Sequence, residues 1–172
     1  MAIRNILTGD EPALRKKSRV VTDFDSRLHV LLDDMRETLY DANGLGLAAP
    51  QVGVLRRAVL VVDLSIETED PDEHVLELIN PEIIAKSGTQ TGSEGCLSVP
   101  GLFGIVSRPE FIKVKAQDRN GMAFEIFLKD ISARAAAHEI DHLNGVIFTS
   151  VAERFLSEEE LEAMRAERFE AE

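Results

Sequence analysis

The segment His138-Glu139-Ile140-Asp141-His142 constrains this chain more than any other, because its chemistry exists only when it is wound into a helix. On a helix, His138 and His142 lie four residues apart on one face, close enough for both imidazoles to share a cation. Glu139 projects beside that face, where it can take a proton from water held at a metal. The bland alternative is a helix that carries two histidines by coincidence. A chance match in a chain of this length and composition is on the order of one in two hundred. Two of the four histidines fall inside this one motif, so the metal reading is preferred.

The surrounding pattern supports that helix. The sequence predicts it from about Ile131 to Leu143, capped by Asp130 and stopped near Gly145. Ala133, Ala135, Ala136 and Ala137 precede the histidines, and their small side chains permit close packing against strands. An earlier helix is predicted from about Arg27 to Asp41, with Ser26 as N-cap and Gly44 just past its end. Leu28, Leu31, Leu32, Met35 and Leu39 form its apolar stripe. Ala58 to Leu64 and Val75 to Ile84 read as strands, the second with Pro81 marking an edge or a bulge. Phe111 to Gln117 alternates, Asn120-Gly121 supplies a tight turn, and Met122 to Leu128 returns as the partner strand. A last helix, about residues 157–170, opens at Ser157 with Glu160 three residues on, the capping-box pattern. Strands in the middle with helices at the ends predict an α+β fold: mixed or antiparallel strands around a central metal-binding helix, with N- and C-terminal helices. No repeat or linker divides it, so residues 1–172 are expected to form one catalytic domain.

Composition narrows the function classes. The 172 residues are 44% hydrophobic and 29% charged, ordinary for a globular protein. No stretch approaches the roughly 20 apolar residues that span a bilayer, and no secretory signal is visible at the start. A single cysteine forms no internal disulfide, which fits a reducing, cytoplasmic setting. Net charge of −12 argues against broad capture of DNA or RNA, while leaving room for a local basic patch.

Two histidines are half a metal site. A catalytic centre of this kind has three protein ligands and one open position. Peptidases with this pentapeptide take the third ligand from downstream, where Glu153, Glu158, Glu159, Glu160 and Glu162 are candidates without a clean motif. Upstream lies the lone cysteine, within Glu94-Gly95-Cys96-Leu97-Ser98. Glycines at 92, 95 and 101, with Pro100, read as a tight loop able to bring a thiolate to the helix. A lone cysteine is usually an inert buried residue. Beside two histidines, Cys96 instead completes a ligand set. A third segment, Gly44-Leu45-Gly46-Leu47-Ala48-Ala49-Pro50-Gln51-Val52, is glycine-rich but lacks the Lys-Ser/Thr of a phosphate loop. It reads as a loop ending the first helix, and as a backbone surface for an extended peptide, with Gln51 offering an amide N–H to a substrate oxygen.

Together, in this order, the three segments resemble the peptide deformylase family, in which Gly-x-Gly-Leu-Ala-Ala-x-Gln, Glu-Gly-Cys-Leu-Ser and His-Glu-x-Asp-His recur. Here they are Gly44–Gln51, Glu94–Ser98 and His138–His142, and the likeness extends over most of residues 1–150. The resemblance implies removal of the formyl group from the N-terminal formylmethionine of new polypeptides, with release of formate. It implies that Cys96, His138 and His142 hold one divalent metal, typically Fe2+, with Zn2+, Ni2+ or Co2+ able to replace it. It assigns proton transfer to Glu139, and oxyanion stabilisation to Gln51 and the backbone N–H of Leu97. Gly46 would pair with the substrate chain, Leu45 and Ile131 would line a methionine pocket, and Arg108 is a further substrate contact. The expected partners are N-formylmethionyl nascent chains, with no membrane and no DNA.

Some positions depart from the family pattern. Ala137 stands where many members have Gln, and Gly92-Ser93 where some have bulkier or acidic residues. Certain members dock on the ribosome through a basic C-terminal helix. Here residues 153–172 hold eight Glu and three Arg, which argues against transient ribosome contact through that helix. A zinc endopeptidase built on the same helix, and a non-catalytic peptide-binding relative, are the alternatives. Glu139 and Gln51 weigh against the second, since binding alone needs no base beside an open metal position.

Overall fold

The computed structural model describes residues 1–171. Helix α1 (Ser26–Ala42) begins where the Asp25 carboxylate accepts the Leu28 N–H, so Asp25 and not Ser26 is the cap. It ends at Asn43, which takes the left-handed conformation at φ 52° and donates its N–H to the carbonyls of Leu39 and Tyr40. An asparagine thus does at this terminus what the sequence assigned to Gly44.

The five leucine and methionine residues of the stripe are all buried under a five-stranded antiparallel sheet. Its strands are β1 (Gly46–Ala48), β2 (Ala58–Val62), β3 (Val75–Ser87), β6 (Phe111–Gln117) and β7 (Ala123–Lys129), paired in that order. Between β3 and β6 in the chain lie β4 (Gln90–Cys96) and β5 (Val99–Arg108), which form a second antiparallel sheet with β8 (Arg154–Phe155). The helix of the metal motif, α2 (Asp130–Leu143), covers the opposite face of the larger sheet.

Strand β2 shows why its sequence is apolar without a break. Ala58 and Leu60 face α1, while Val59 and Val61 face α2. Both faces of the strand are buried, so side-chain alternation puts an apolar residue at every position. The alanines predicted to allow close packing do so: Ala133 and Ala136 are fully buried against Val59, Val61 and Leu78. Each large side chain buried here stabilises the fold by about 1.5–3 kcal/mol. Replacing the fully buried Leu32 with Ala would cost about 2–5 kcal/mol.

The glycines at 92, 95 and 101, expected with Pro100 in a tight loop, lie in the paired strands β4 and β5. Of the two readings of Pro81, the bulge holds: β3 lies inside the sheet and Pro81 sits at a register shift between Ile79 and Glu82. Asn80, at φ 51°, steadies that bulge by bonding both backbone groups of Val21. The β6–β7 reversal is wider than a two-residue turn, because Gln117 pairs with Ala123. Asp118 organises it by accepting the N–H groups of Asn120 and Met122. Asp130 makes no side-chain cap; it is the first residue of α2, at φ 54°, and donates its N–H to the Glu110 carbonyl.

Helix α3 (Glu158–Ala171) has the capping box the sequence predicts. Ser157 Oγ accepts the Glu160 N–H at 3.2 Å and Glu160 Oε1 accepts the Ser157 N–H at 3.3 Å. Among the described residues, no helix is long and apolar enough to cross a membrane.

Candidate metal centre and cleft

Two elements converge to make the centre. Helix α2 presents His138 and His142 one turn apart, both buried, toward the end of β4, where Cys96 begins the two-residue reversal into β5. Cys96 Sγ lies 3.3 Å from His142 Nε2, and the two Nε2 atoms are 3.2 Å apart. All three donor atoms fall within 4.8 Å of one another.

These distances fit a cation. Metal bonds of ~2.3 Å to sulfur and ~2.0–2.1 Å to nitrogen, at tetrahedral angles, separate sulfur from nitrogen by ~3.5 Å and two nitrogens by ~3.3 Å. The tautomer fits as well. Glu94 Oε1 accepts from His138 Nδ1 at 2.5 Å, which places the proton on Nδ1 and turns the Nε2 lone pair toward the cluster. The cluster also draws positive charge. Burial opposes a proton on His138, but the Cys96 thiol and the Glu94 carboxylate outweigh it and push the imidazole up to about 10. A divalent cation competes with that proton for the same position. Burial, with His138 beside it, pulls His142 down to about 3 and keeps that ring neutral, as ligation requires.

Glu94 holds the centre together. Beyond His138, it receives Arg108 Nη2 at 2.6 Å, Arg108 Nε at 3.2 Å and Arg134 Nη1 at 2.8 Å. Burial raises a carboxyl, but the hydrogen bonds from His138 and Arg108 hold Glu94 down to about 2. Arg108 reaches on to Asp141 of the pentapeptide at 2.5 Å, tying β5 to α2.

Glu139 is treated differently. It is 5% exposed, and its Oε2 is one of only three buried side-chain oxygen or nitrogen atoms without a hydrogen-bond partner among the described residues. Burial pushes its carboxyl up to about 7. A carboxyl that exchanges its proton near neutral pH, beside a metal-type cluster, is suited to acid and base work. Gly46 makes room for it, since a Cβ at that position would stand 2.7 Å from Glu139 Cγ. On the other side, Gln51 is aimed by its own backbone. Its Oε1 accepts the Ala48 N–H at 2.9 Å, leaving Nε2 to reach Ser98 Oγ at 3.1 Å and Cys96 Sγ at 3.6 Å.

The centre opens into a cleft of about 550 Å³, walled by Leu45, Gly46, Leu97, Phe103, Ile131 and others, mostly apolar. Such a volume suits a short peptide end.

Known proteins agree with this geometry. The model of the polypeptide deformylase family matches residues 3–157. The chain belongs to the peptide deformylase family. A peptide deformylase of Caldicellulosiruptor bescii is 52% identical over 166 residues, covering 96% of this chain and 95% of that protein. The crystal structure of a peptide deformylase from Legionella pneumophila has a TM-score of 0.80 at 40% identity, covering 99% of this chain and 96% of that one. A Met-Ala-Ser-bound peptide deformylase from Acinetobacter baumannii matches with TM-score 0.79 and 32% identity, over 87% of this chain and 98% of that one. Peptide deformylases are metal-dependent hydrolases that remove the N-formyl group from newly made polypeptides, and this chain shares that function.

Within this deformylase, the structure brings Cys96, His138, His142, Glu139 and Gln51 together and sets Leu45, Gly46, Leu97 and Ile131 along the cleft. Arg108 is the exception. It is 7% exposed, sits behind the ligands, and does not line the cleft, because the buried Glu94 carboxylate needs its guanidinium as a counter-charge. Arg134 and Arg168 are the arginines that do line it. The third residue of the cluster, Cys96, lies upstream, and Glu153, Glu158, Glu159, Glu160 and Glu162 take no part in it. Sequence reasoning missed Glu94, Ser98 and Asp141. For Glu94 the signal is its place in the Glu94–Ser98 segment, two residues before Cys96, although strand alternation alone does not align the two because the register breaks between them.

Proposed function

We propose that Cys96, His138 and His142 hold one divalent cation, and that Glu139, Gln51 and the Leu97 N–H carry out deformylation around it. The observation that supports this most is the unpartnered Glu139 carboxyl, buried beside three converging donors and facing a peptide-sized cleft. When bound, the cation supplies Lewis-acid polarisation and makes a neighbouring water acidic enough to ionise near neutral pH. Glu139 accepts the proton lost as water oxygen bonds to the formyl carbon. The negative charge that grows on the formyl oxygen is met by Gln51 Nε2 and the Leu97 N–H, each such donor contributing about 3–4 kcal/mol. Glu139 then gives its proton to the amine nitrogen as the C–N bond breaks, leaving formate and a free N-terminal methionine. Gly46 offers its backbone to the substrate chain, and Leu45 and Ile131, both partly exposed in the cleft, receive the methionine side chain.

The ion we assign is Fe2+, with Zn2+, Ni2+ and Co2+ as competitors for the same thiolate and imidazole donors. The working compartment is the cytoplasm, where formylated chains emerge, and residues 1–172 act as one catalytic domain. Any passing contact with the ribosome is made elsewhere than on the acidic α3.

The test is anaerobic purification, elemental analysis, and formate release from a formyl-methionyl peptide beside its unformylated form. One ion per chain with formate release is expected. Internal cleavage without formate would assign the helix to an endopeptidase instead. Peroxide should abolish activity that Ni2+ or Co2+ then restores; full activity after peroxide would point to Zn2+.

A further inference from the structure

Helix α3 has the sequence of a solvated surface helix, with Glu158, Glu159, Glu160 and Glu162 in its first turns and Phe169 82% exposed. Met164 and Arg168, one turn apart on one face, nevertheless line the cleft across from Phe103 and Ile131. The Met164 sulfur lies 3.9 Å from Ser93 Oγ. The span matched by the family model ends at residue 157, so this wall comes from sequence beyond it.

Charge singles out one of the two residues. Four carboxylate or guanidinium side chains line the cleft, those of Glu94, Arg134, Glu139 and Arg168. Glu94 and Arg134 are bound to each other, and Glu139 is buried beside the metal donors. Arg168 is exposed and makes no ion pair among the described residues. Among the described residues it is the one lining carboxylate or guanidinium neither paired nor buried, and so free to meet a substrate.

We propose that Met164 and Arg168 are specificity-determining residues. Met164 closes the apolar wall over the bound chain, and Arg168 pairs with an Asp or Glu carried just after the formylated methionine. The preferred substrate is then an N-formylmethionyl peptide with an acidic residue next in line. This rests on the deformylase reading given above. Neither residue is near Glu139 or the donors in the chain's hydrogen-bond network, so the effect falls on KM and leaves kcat unchanged.

The experiment uses full-length, metal-loaded protein and three peptides, formyl-Met-Glu-Ser, formyl-Met-Ala-Ser and formyl-Met-Lys-Ser, at low and high salt. Wild type should show the lowest KM for Glu and the highest for Lys, with about two- to fivefold steps that shrink in high salt. Arg168→Ala should erase the order and Arg168→Glu should reverse it. Arg165→Ala, on the same helix but outside the cleft, should keep it. Met164→Ala should raise KM about three- to tenfold for all three peptides at unchanged Tm and metal content. An order that survives in Arg168→Glu, or a KM unmoved in Met164→Ala, overturns the inference. If wild type releases no formate from any peptide, the deformylase reading itself fails. The series is then read as affinity for unformylated Met-Glu-Ser and Met-Lys-Ser, and equal affinities in wild type and Arg168→Glu overturn the inference separately.

Discussion

The two walls of the cleft are built on opposite principles. On the α2 and β4 side, every charged group but Glu139 is locked: Glu94 alone receives His138, Arg108 and Arg134, and Arg108 continues to Asp141. On the α3 side, a mostly exposed helix leans in through Met164 and Arg168 and is steadied at its start by Ser157, Glu160 and Arg154. Bond breaking requires donors held to fractions of an ångström. Recognition of varied nascent chains requires a surface that yields, and partly solvated side chains give one at small energetic cost.

The strongest way to break this contrast is at Glu139. Glu139→Ala should keep the metal and lower kcat by about 10²–10⁴-fold, measured by formate release beside elemental analysis. Loss of the ion in that variant would move Glu139 from proton transfer to ligation.

Next in size is Glu94→Ala. It removes the buried counter-charge of Arg108, leaving that guanidinium only Asp141, takes the carboxylate from Arg134, and removes the acceptor of His138 Nδ1. Thermal or urea unfolding should show a loss of about 3–5 kcal/mol. Metal titration should show affinity weakened about 10- to 100-fold. An unchanged Tm would mean the locked wall is not locked.

Gly46→Ala sharpens the comparison from the other direction. The added methyl must displace Glu139 without touching a donor atom. Turnover should fall about 10- to 100-fold while metal content holds. A wild-type kcat would show that Glu139 tolerates movement and that this wall, too, can yield.

The smallest effect lies outside the cleft, at Asp34 of α1. Burial pushes its carboxyl up, but the Ala2 N–H and the Arg4 guanidinium outweigh it and hold Asp34 below the usual carboxylate range. A depressed folded-state pKa stabilises at pH above the unfolded value and is lost as pH falls through the folded one. The stability gap between wild type and Asp34→Asn should be about 1 kcal/mol near neutral pH and should close in acid, as read from urea midpoints across pH.

Much of this was legible from the chain. The stripe Leu28, Leu31, Leu32, Met35 and Leu39 predicts α1 because 3.6-residue periodicity survives tertiary context, and the same spacing puts His138 and His142 together on one face of α2. The glycines at 92, 95 and 101 with Pro100 point to a loop, because glycine and proline normally interrupt strands, yet they lie within β4 and β5. The structure supplies the reason for two glycines of these strands. Gly95 leaves room for the Phe103 ring, 2.6 Å from where a Cβ would stand, and Gly104 lets Ala152 and Arg154 approach. The role of Glu94 is hidden as well, because the register irregularity between Glu94 and Cys96 leaves strand alternation unable to place it beside the cluster. The resemblance makes Arg108 a substrate contact, and nothing local in the sequence reveals that two remote carboxylates hold it behind the cleft. The reach of α3 into the cleft is likewise a property of chain path, invisible in a helix whose own composition is that of a solvated surface.

The neighbours of Cys96 and His138 carry one further consequence. Gln51 and Ser98 steady the sulfur while Glu94 aims the ring, so two of the three donors are posed by protein alone. On the reading proposed above, this side of the site is set by the protein's own hydrogen bonds, and one divalent ion could replace another without the residues around it being rebuilt.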